Sequence, residues 1–373
     1  MAYTDIDNGQ EYFQAFLYTG TGNTGATLAR TFDGNVDLKP GLMFQFKRAG
    51  GGNYHNIMEN EFTGAGTLWL ASSGDSVVDG ISESFDTNGF THSTINQGGY
   101  YHNENNSTYG IWAWKDMDAS NVSNTSGTIT STVRADQAMG LSYVNWTGTS
   151  ADGTIGHGLG KRPEAIWLYA IQIAANNGNH QRSWWWEANS DGYMISNELN
   201  GAESTERNNV NGIASAHSSG EGTSTVFSVK EANSSYEQVN HSSQNYLALC
   251  WTSVQGFSKF GKYLGNGNAD GVFIYTGFKP ALIMVRGMDI GASTKCFDYR
   301  RDPDNRDDGH SVNSTANYGA EGSDANTKID ILSNGFKIRH AHASMNGSGN
   351  TYGFCAWAQE PLVTSTGIPA TAR

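Results

Sequence analysis

Charge, proline and cysteine are all scarce in this 373-residue chain, and each shortage removes a class of protein. Only 16% of residues are charged, and 23 Lys and Arg against 36 Asp and Glu leave a formal net charge of −13. A phosphate-tracking surface needs a cationic excess, so no nucleic-acid partner is expected. No apolar run approaches the roughly 18 residues of a membrane-spanning helix, so membrane insertion is not expected either. The opening Met1-Ala2-Tyr3-Thr4-Asp5 has neither the basic nor the apolar stretch of a signal peptide. Cys250, Cys296 and Cys355 are too few for a disulfide scaffold and lack CxxC spacing for zinc. They read as small buried residues of strands, in a chain made in a reducing cytoplasm.

What is abundant points to β-structure. The chain has 46 Gly and 12% aromatic residues, with many Asn, Ser and Thr. That mixture suits short strands and tight turns rather than helix bundles, which need Ala, Leu, Glu and Lys. No segment keeps a 3.6-residue apolar period over twelve positions, and turn signals recur at short intervals, as in β-sandwiches. At this length the chain suits two or three domains.

Self-similarity gives the organisation. Three of the six prolines, Pro40, Pro163 and Pro280, follow a basic residue and precede an apolar run, at intervals of 123 and 117 residues. Upstream of each lies an aromatic before a glycine turn: Tyr18-Thr19-Gly20, Trp146-Thr147-Gly148 and Tyr263-Leu264-Gly265. Downstream each unit closes on Tyr-x4-Trp, at Tyr109/Trp114, Tyr246/Trp251 and Tyr352/Trp357. Asn88-Gly89-Phe90 and Asn334-Gly335-Phe336 add a tight turn followed by a core aromatic in the outer two units. The order of landmarks predicts an all-β protein of three tandem β-sandwich modules related by internal duplication. The expected division is 1–116, 140–256 and 257–373, with 117–139 as a polar linker. The second junction, Val254 to Phe260, is short and carries two Phe, so modules two and three are expected to dock more rigidly than one and two.

Physics assigns the landmarks roles. Proline lacks a donor and belongs at the first residue of a strand. The run Ala281 to Val285 is too apolar for a strand with one wet face and is expected to be central and covered on both sides. In Tyr-x4-Trp the separation is odd, so the two rings point to opposite faces, one to the core and one to a rim or neighbouring module.

Candidate chemistry is sparse. Gly20-Thr21-Gly22-Asn23-Thr24-Gly25 matches GxGxxG, but no helical period follows to hold a pyrophosphate, so it reads as turn chemistry. The loop containing Asp302, Asp304 and Asp308 lacks calcium-loop spacing and holds Arg306, so it reads as a solvated charged loop with a cation site as the alternative. His340 and His342, spaced as HxH, share one face if they lie on a strand, which is the geometry of a metal-ligand pair; surface histidines are the simpler reading. Trp184-Trp185-Trp186, beside Arg182, cannot all face one core. At least one ring meets a sister module, a subunit, or a glycan or receptor. No GxSxG or HExxH occurs, and nothing selects a glycosidase pair from Glu59, Glu61, Glu83, Glu187 and Glu198. Neither an enzyme nor a cofactor is expected.

Several phrases resemble the repeat-containing virion structural proteins of tailed phages of marine bacteria. They include Met1 to Asp7, Gly156-His157-Gly158-Leu159-Gly160, Gly256 to Gly261, Gly265 to Gly271, Tyr275 to Ala281, Ile331 to Lys337 and Trp357 to Leu362. The likeness is looser in the second unit, where Asn-Gly-Phe is missing and an Asn-rich stretch spans 197–211. The resemblance implies a particle component assembled in the host cytoplasm and exposed on the virion, with other tail or capsid proteins as partners. It implies a tail fibre or host-recognition appendage that meets host surface glycan, or a capsid-surface fibre or decoration protein. A homo-oligomer is implied, a trimer foremost, and no catalytic residue is carried over. A carbohydrate-binding protein outside the virion is the third reading.

Overall fold

The computed structural model describes residues 4–22, 28–49, 57–62, 67–69, 82–92, 103–172, 182–186, 193–196, 207–208, 222–229, 240, 242, 244–290, 294–301, 310–311 and 327–369. Among them the elements are strands, apart from a 3-10 turn at Gly9–Glu11 and one four-residue helix, α1 (Ala343–Asn346). The first third of the chain holds β1 (Phe13–Thr19), β2 (Leu28–Arg30), β3 (Pro40–Ala49), β4 (Ile57–Asn60), β5 (Thr67–Trp69), β6 (Ser82–Asp86), β7 (Gly89–His92) and β8 (Thr108–Lys115). The middle third holds β9 (Val122–Asn124), β10 (Ser131–Asp136), β11 (Leu141–Thr147), β12 (Gly153–Gly156), β13 (Ala165–Gln172), β14 (Arg182–Trp186), β15 (Tyr193–Ser196), β16 (Arg207–Asn208), β17 (Val226–Val229) and β18 (Asn245–Trp251). The last third holds β19 (Ser258–Leu264), β20 (Phe273–Tyr275), β21 (Phe278–Gly287), β22 (Lys295–Asp298), β23 (His310–Ser311), β24 (Ile329–Leu332), β25 (Gly335–Ile338) and β26 (Thr351–Pro361).

The same strand order recurs. The first third forms a sheet β1-β8-β3-β4-β5 beside a smaller sheet β2-β7-β6, and the last forms β19-β26-β21-β22-β23 beside β20-β25-β24. The middle third contains the run β11-β18-β13-β14-β15, extended by β10 and β9 on one side and β16 on the other, beside the pair β12-β17. The last strand of each third, β8, β18 or β26, lies between β1, β11 or β19 on one side and the strand that follows the proline landmark, β3, β13 or β21, on the other, paired antiparallel with both.

The central strands of each large sheet are buried on both faces. One face packs on its own small sheet: Phe16, Tyr18, Met43, Tyr109 and Ile111 meet Phe32 and Phe90 in the first third, and Val144, Trp146, Ile166 and Tyr246 meet Ile155 and Phe227 in the second. The opposite faces of all three large sheets contribute to a single core, which includes Phe13, Leu42, Trp114, Leu141, Trp167, Trp251, Phe260, Leu282 and Trp357. This accounts for β21, every residue of which is buried, as expected for a central strand covered on both sides.

One expectation about the joints is replaced. Within the segment read as a polar linker, β9 and β10 pair with each other and β10 pairs with β11, so it extends the middle sheet. Its Arg134 reaches Asp116 at 3.3 Å and lies over the Phe62 ring. Ser- and Thr-rich composition suits an edge strand with a wet face as well as it suits a linker, and composition alone does not separate them. The first two thirds also meet through Trp114–Trp251 and Phe44–Trp167 ring contacts of 5.6 and 5.9 Å, so aromatic packing is not confined to the second junction.

The Asn-Gly-Phe turns behave as expected. Gly89 and Gly335 open β7 and β25, and the following Phe90 and Phe336 are fully buried. A Cβ at Gly89 would lie 1.9 Å from the Arg30 carbonyl oxygen, and one at Gly335 2.1 Å from that of Ile274, so the neighbouring strand admits only glycine.

Candidate functional site

The repeated landmarks converge on one place. Trp114, Trp251 and Trp357 hold the same register in their thirds, opposite Leu42, Ala165 and Leu282 on the proline-led strands. All three are fully buried, and their ring centroids form a triangle with sides of 5.6, 5.1 and 5.3 Å. Trp114–Trp357 and Trp251–Trp357 meet edge to face, the geometry favoured by ring quadrupoles. Among the described residues none of the three indole N–H groups has a hydrogen-bond acceptor. The tyrosine of each Tyr-x4-Trp points the other way and stacks on the aromatic before the upstream turn. The pairs are Tyr18–Tyr109, Trp146–Tyr246 and Tyr263–Tyr352, with centroids 4.9, 5.3 and 5.2 Å apart. The odd spacing thus does what strand geometry requires, and the unknown neighbour is the shared core.

The prolines vary more. Pro40 opens β3, Pro163 lies two residues before β13, and Pro280 sits inside β21 at a register shift opposite Ala358. A bulge tolerates the missing donor there. The three cysteines lie buried in β18, β22 and β26.

Among the other candidates, Arg182 and Trp184–Trp186 form β14, with Trp184 opposite Trp167 and Ile195 in backbone register; their side chains lie outside the described residues. Asp302, Asp304 and Asp308 lie outside them as well. His340 and His342 are not on a strand, because β25 ends at Ile338. His342 caps α1 by accepting from the Ser344 N–H, and the His342 N–H donates to Nδ1 of His340. The rings stand 6.2 Å apart, and among the described residues no group of three or more His, Cys, Asp or Glu could hold a metal ion. Of the glycine-rich segment, Gly20 to Gly22 lie among the described residues and Asn23 to Gly25 outside them; the Gly20 and Gly22 N–H groups donate to Ser107 and Asn103 carbonyls, as Gly265 and Gly267 do to Asn350 and Asn346.

Two buried polar sites were not singled out by sequence. In the first, Asp298 accepts from the Trp112 indole N–H at 2.9 Å and pairs with Arg301, joining the first and last thirds. In the second, His157 is fully buried, its Nδ1 accepting from the Leu159 N–H at 3.2 Å and its Nε2 facing the Thr223 carbonyl at 3.2 Å. That pairing fixes the neutral tautomer with the proton on Nε2. The following Gly158 takes φ +75°, which turns the chain back toward the ring.

Burial pushes the His157 pKa down to about 4. In the unfolded chain an imidazole titrates near pH 6.5. The contribution of His157 to stability is therefore fully present above that value and is lost as pH falls from about 6.5 to about 4, by about 3 kcal/mol. Urea titrations across this window should show the loss in the native chain and a flatter profile in His157→Gln. An unchanged slope in the variant would mean the imidazole is not held neutral.

An exposed aromatic pair was also missed. Phe273 and Tyr275 are 43% and 47% exposed on β20, an edge strand of the last small sheet. Their sequence signal was available: the corresponding positions are Ala29 and Thr31 in the first third and Thr154 and Gly156 in the second, by the register of Phe90, Phe227 and Phe336.

These features define an all-β protein in which three antiparallel sheets close around one aromatic core. Residues 8–361 match the family described as "Domain of unknown function (DUF7483)", and the chain belongs to that family. The match runs through all three thirds. No curated protein matches the chain.

Proposed function

We propose that this chain is a virion structural protein of a tailed phage, an appendage of three β-sandwich modules related by internal duplication. The recurring strand order and the common register of Trp114, Trp251 and Trp357 support the duplication. The observation that carries the appendage reading is that one core joins the three thirds of the chain into a body with two unlike ends. At one end the segments joining the modules gather: Thr4 donates to the Gln255 carbonyl, Asp7 accepts from Ser365, and the Ala358 N–H donates to Phe257. At the other lie the turns after each first strand and before each last strand, bonded through Gly20–Ser107, Gly148–Gln244 and Gly265–Asn350. Such a body can attach by the first end and offer the second to a host surface. The segment 117–139 is not a free stalk between the first two thirds, because β9 and β10 belong to the middle sheet.

The absence of a free linker between the first two modules equally suits a protein fixed on the capsid surface, and this is the second reading. Cryo-electron microscopy of intact particles separates them. Density at the tail with the turn-bearing end outward supports host recognition, density on the shell supports decoration, and absence from purified particles overturns both.

A further inference from the structure

We propose that the outer face of the β20-β25-β24 sheet is a saccharide-binding face and that its ligand is an acidic polysaccharide. Phe273 and Tyr275 lie two residues apart on one strand, hence on one face and about 7 Å from each other. Ile274 between them is buried in the core, so the pair is not needed to fill it. The sister modules show the same point independently: they fold with Ala29 and Thr31, or Thr154 and Gly156, at these positions. Large aromatic rings left half in water, where the fold is satisfied by small residues, suit a ligand that supplies the missing apolar surface. Lys259 steadies one ring, its Nζ donating to the Tyr275 carbonyl at 2.8 Å and lying 5.4 Å from the ring centroid.

The polar groups around the rings choose the ligand's charge. Lys337 stands directly opposite Phe273 in register and Asp330 opposite Lys337, while Arg339 and Lys328 continue the two strands on the same side. Asp270 receives Lys337 at 2.7 Å and Arg339 at 3.1 Å, and Asp330 receives Arg339 at 3.1 Å. Among the described residues, Lys259, Lys337 and Arg339 stand around this face against the two carboxylates Asp270 and Asp330, in a chain whose total balance is −13. Flat rings for pyranose faces, ringed by a local cationic excess, fit a polymer of uronic acids better than a neutral glucan.

The proposal rests on the surface-appendage reading for its setting, but it is tested on the purified full chain. Calorimetry and affinity electrophoresis would compare alginate oligosaccharides with maltohexaose. The expected result is salt-sensitive binding of alginate, weakened about tenfold or more in the double variant Phe273→Ala, Tyr275→Ala and also in Lys337→Gln, Arg339→Gln. The aromatic variant should keep the native thermal midpoint, since it removes exposed rings. No alginate binding, equal binding of maltohexaose, or binding that survives the aromatic variant and is lost in Trp184→Ala, Trp186→Ala would each overturn the proposal. None of these outcomes alters where the chain sits on a particle, so the two readings fail separately.

Discussion

Trp357→Ala is expected to cost about 3–5 kcal/mol and to weaken all three thirds of the chain together. The ring touches Trp114, Trp251, Trp167, Phe260 and Phe13 at centroid distances of 5.1, 5.3, 5.9, 5.6 and 6.5 Å, so residues of every third lose a neighbour. Interiors packed to crystal density relax only partly around a deleted indole, and the cavity left behind adds to the lost transfer energy. The cost cannot stay in the last third, because the face that Trp357 covers belongs to the other two sheets. Trp357→Phe should cost clearly less: it keeps an aromatic ring at the axis, and the indole N–H it removes has no hydrogen-bond acceptor among the described residues. Urea unfolding followed by fluorescence, with hydrogen exchange read separately in 13–115, 141–251 and 258–361, checks the coupling. One transition, shifted equally in all three regions, is the expected result. A shift confined to the last region would mean that the modules fold as separate beads and that the central contacts contribute little.

Much of this arrangement was legible in the sequence, because strand geometry converts spacing into direction. The five-residue step from Tyr109 to Trp114 places the two rings on opposite faces of β8 without knowledge of either neighbour, and the structure puts one between the large and small sheets of the first third and the other in the shared core. The apolar run after Pro280 likewise demanded cover on both sides. The identity of that cover was not legible, since three faces that converge in space leave no mark of convergence on any one of them. Local competition explains the other departures. His340 and His342 alternate as strand residues do, yet the chain leaves the sheet at Ile338 and spends His342 on capping α1. Residues 117–139 have the composition of a linker, yet edge strands with one exposed face draw on the same polar residues. The exposed pair at Phe273 and Tyr275 could have been found by aligning the three units on their Phe landmarks and asking where one unit spends aromatics that its sisters do not.

The link between the first and last thirds gives the second large effect. Asp298 is 2% exposed and accepts from four donors: the Trp112 indole N–H at 2.9 Å, the Arg301 side chain, and the backbone N–H groups of Arg300 and Arg301 at 3.1 and 2.9 Å. Arg301 is itself largely buried, donates to the Cys296 carbonyl at 2.6 Å, and lies over the Phe46 and Trp112 rings at 5.5 and 5.8 Å. Removing one partner of such a pair leaves the other charged and dry, a far larger penalty than the net worth of the pair. Asp298→Ala is therefore expected to cost about 3–5 kcal/mol, more than an exposed ion pair such as Arg300–Asp33, worth about 0–1 kcal/mol, would lose. Trp112→Phe removes one donor while Arg301 still satisfies the carboxylate, so it should cost less, with a hydrogen bond to a charged group accounting for about 1.5–3 kcal/mol. A double-mutant cycle between the two positions isolates what passes between the thirds. A coupling energy near zero would mean that Asp298 serves only the turn at Arg300 and Arg301, leaving the aromatic core alone to join the first third to the last. A coupling of about 1 kcal/mol or more would make the carboxylate a second, directional tie beside that core.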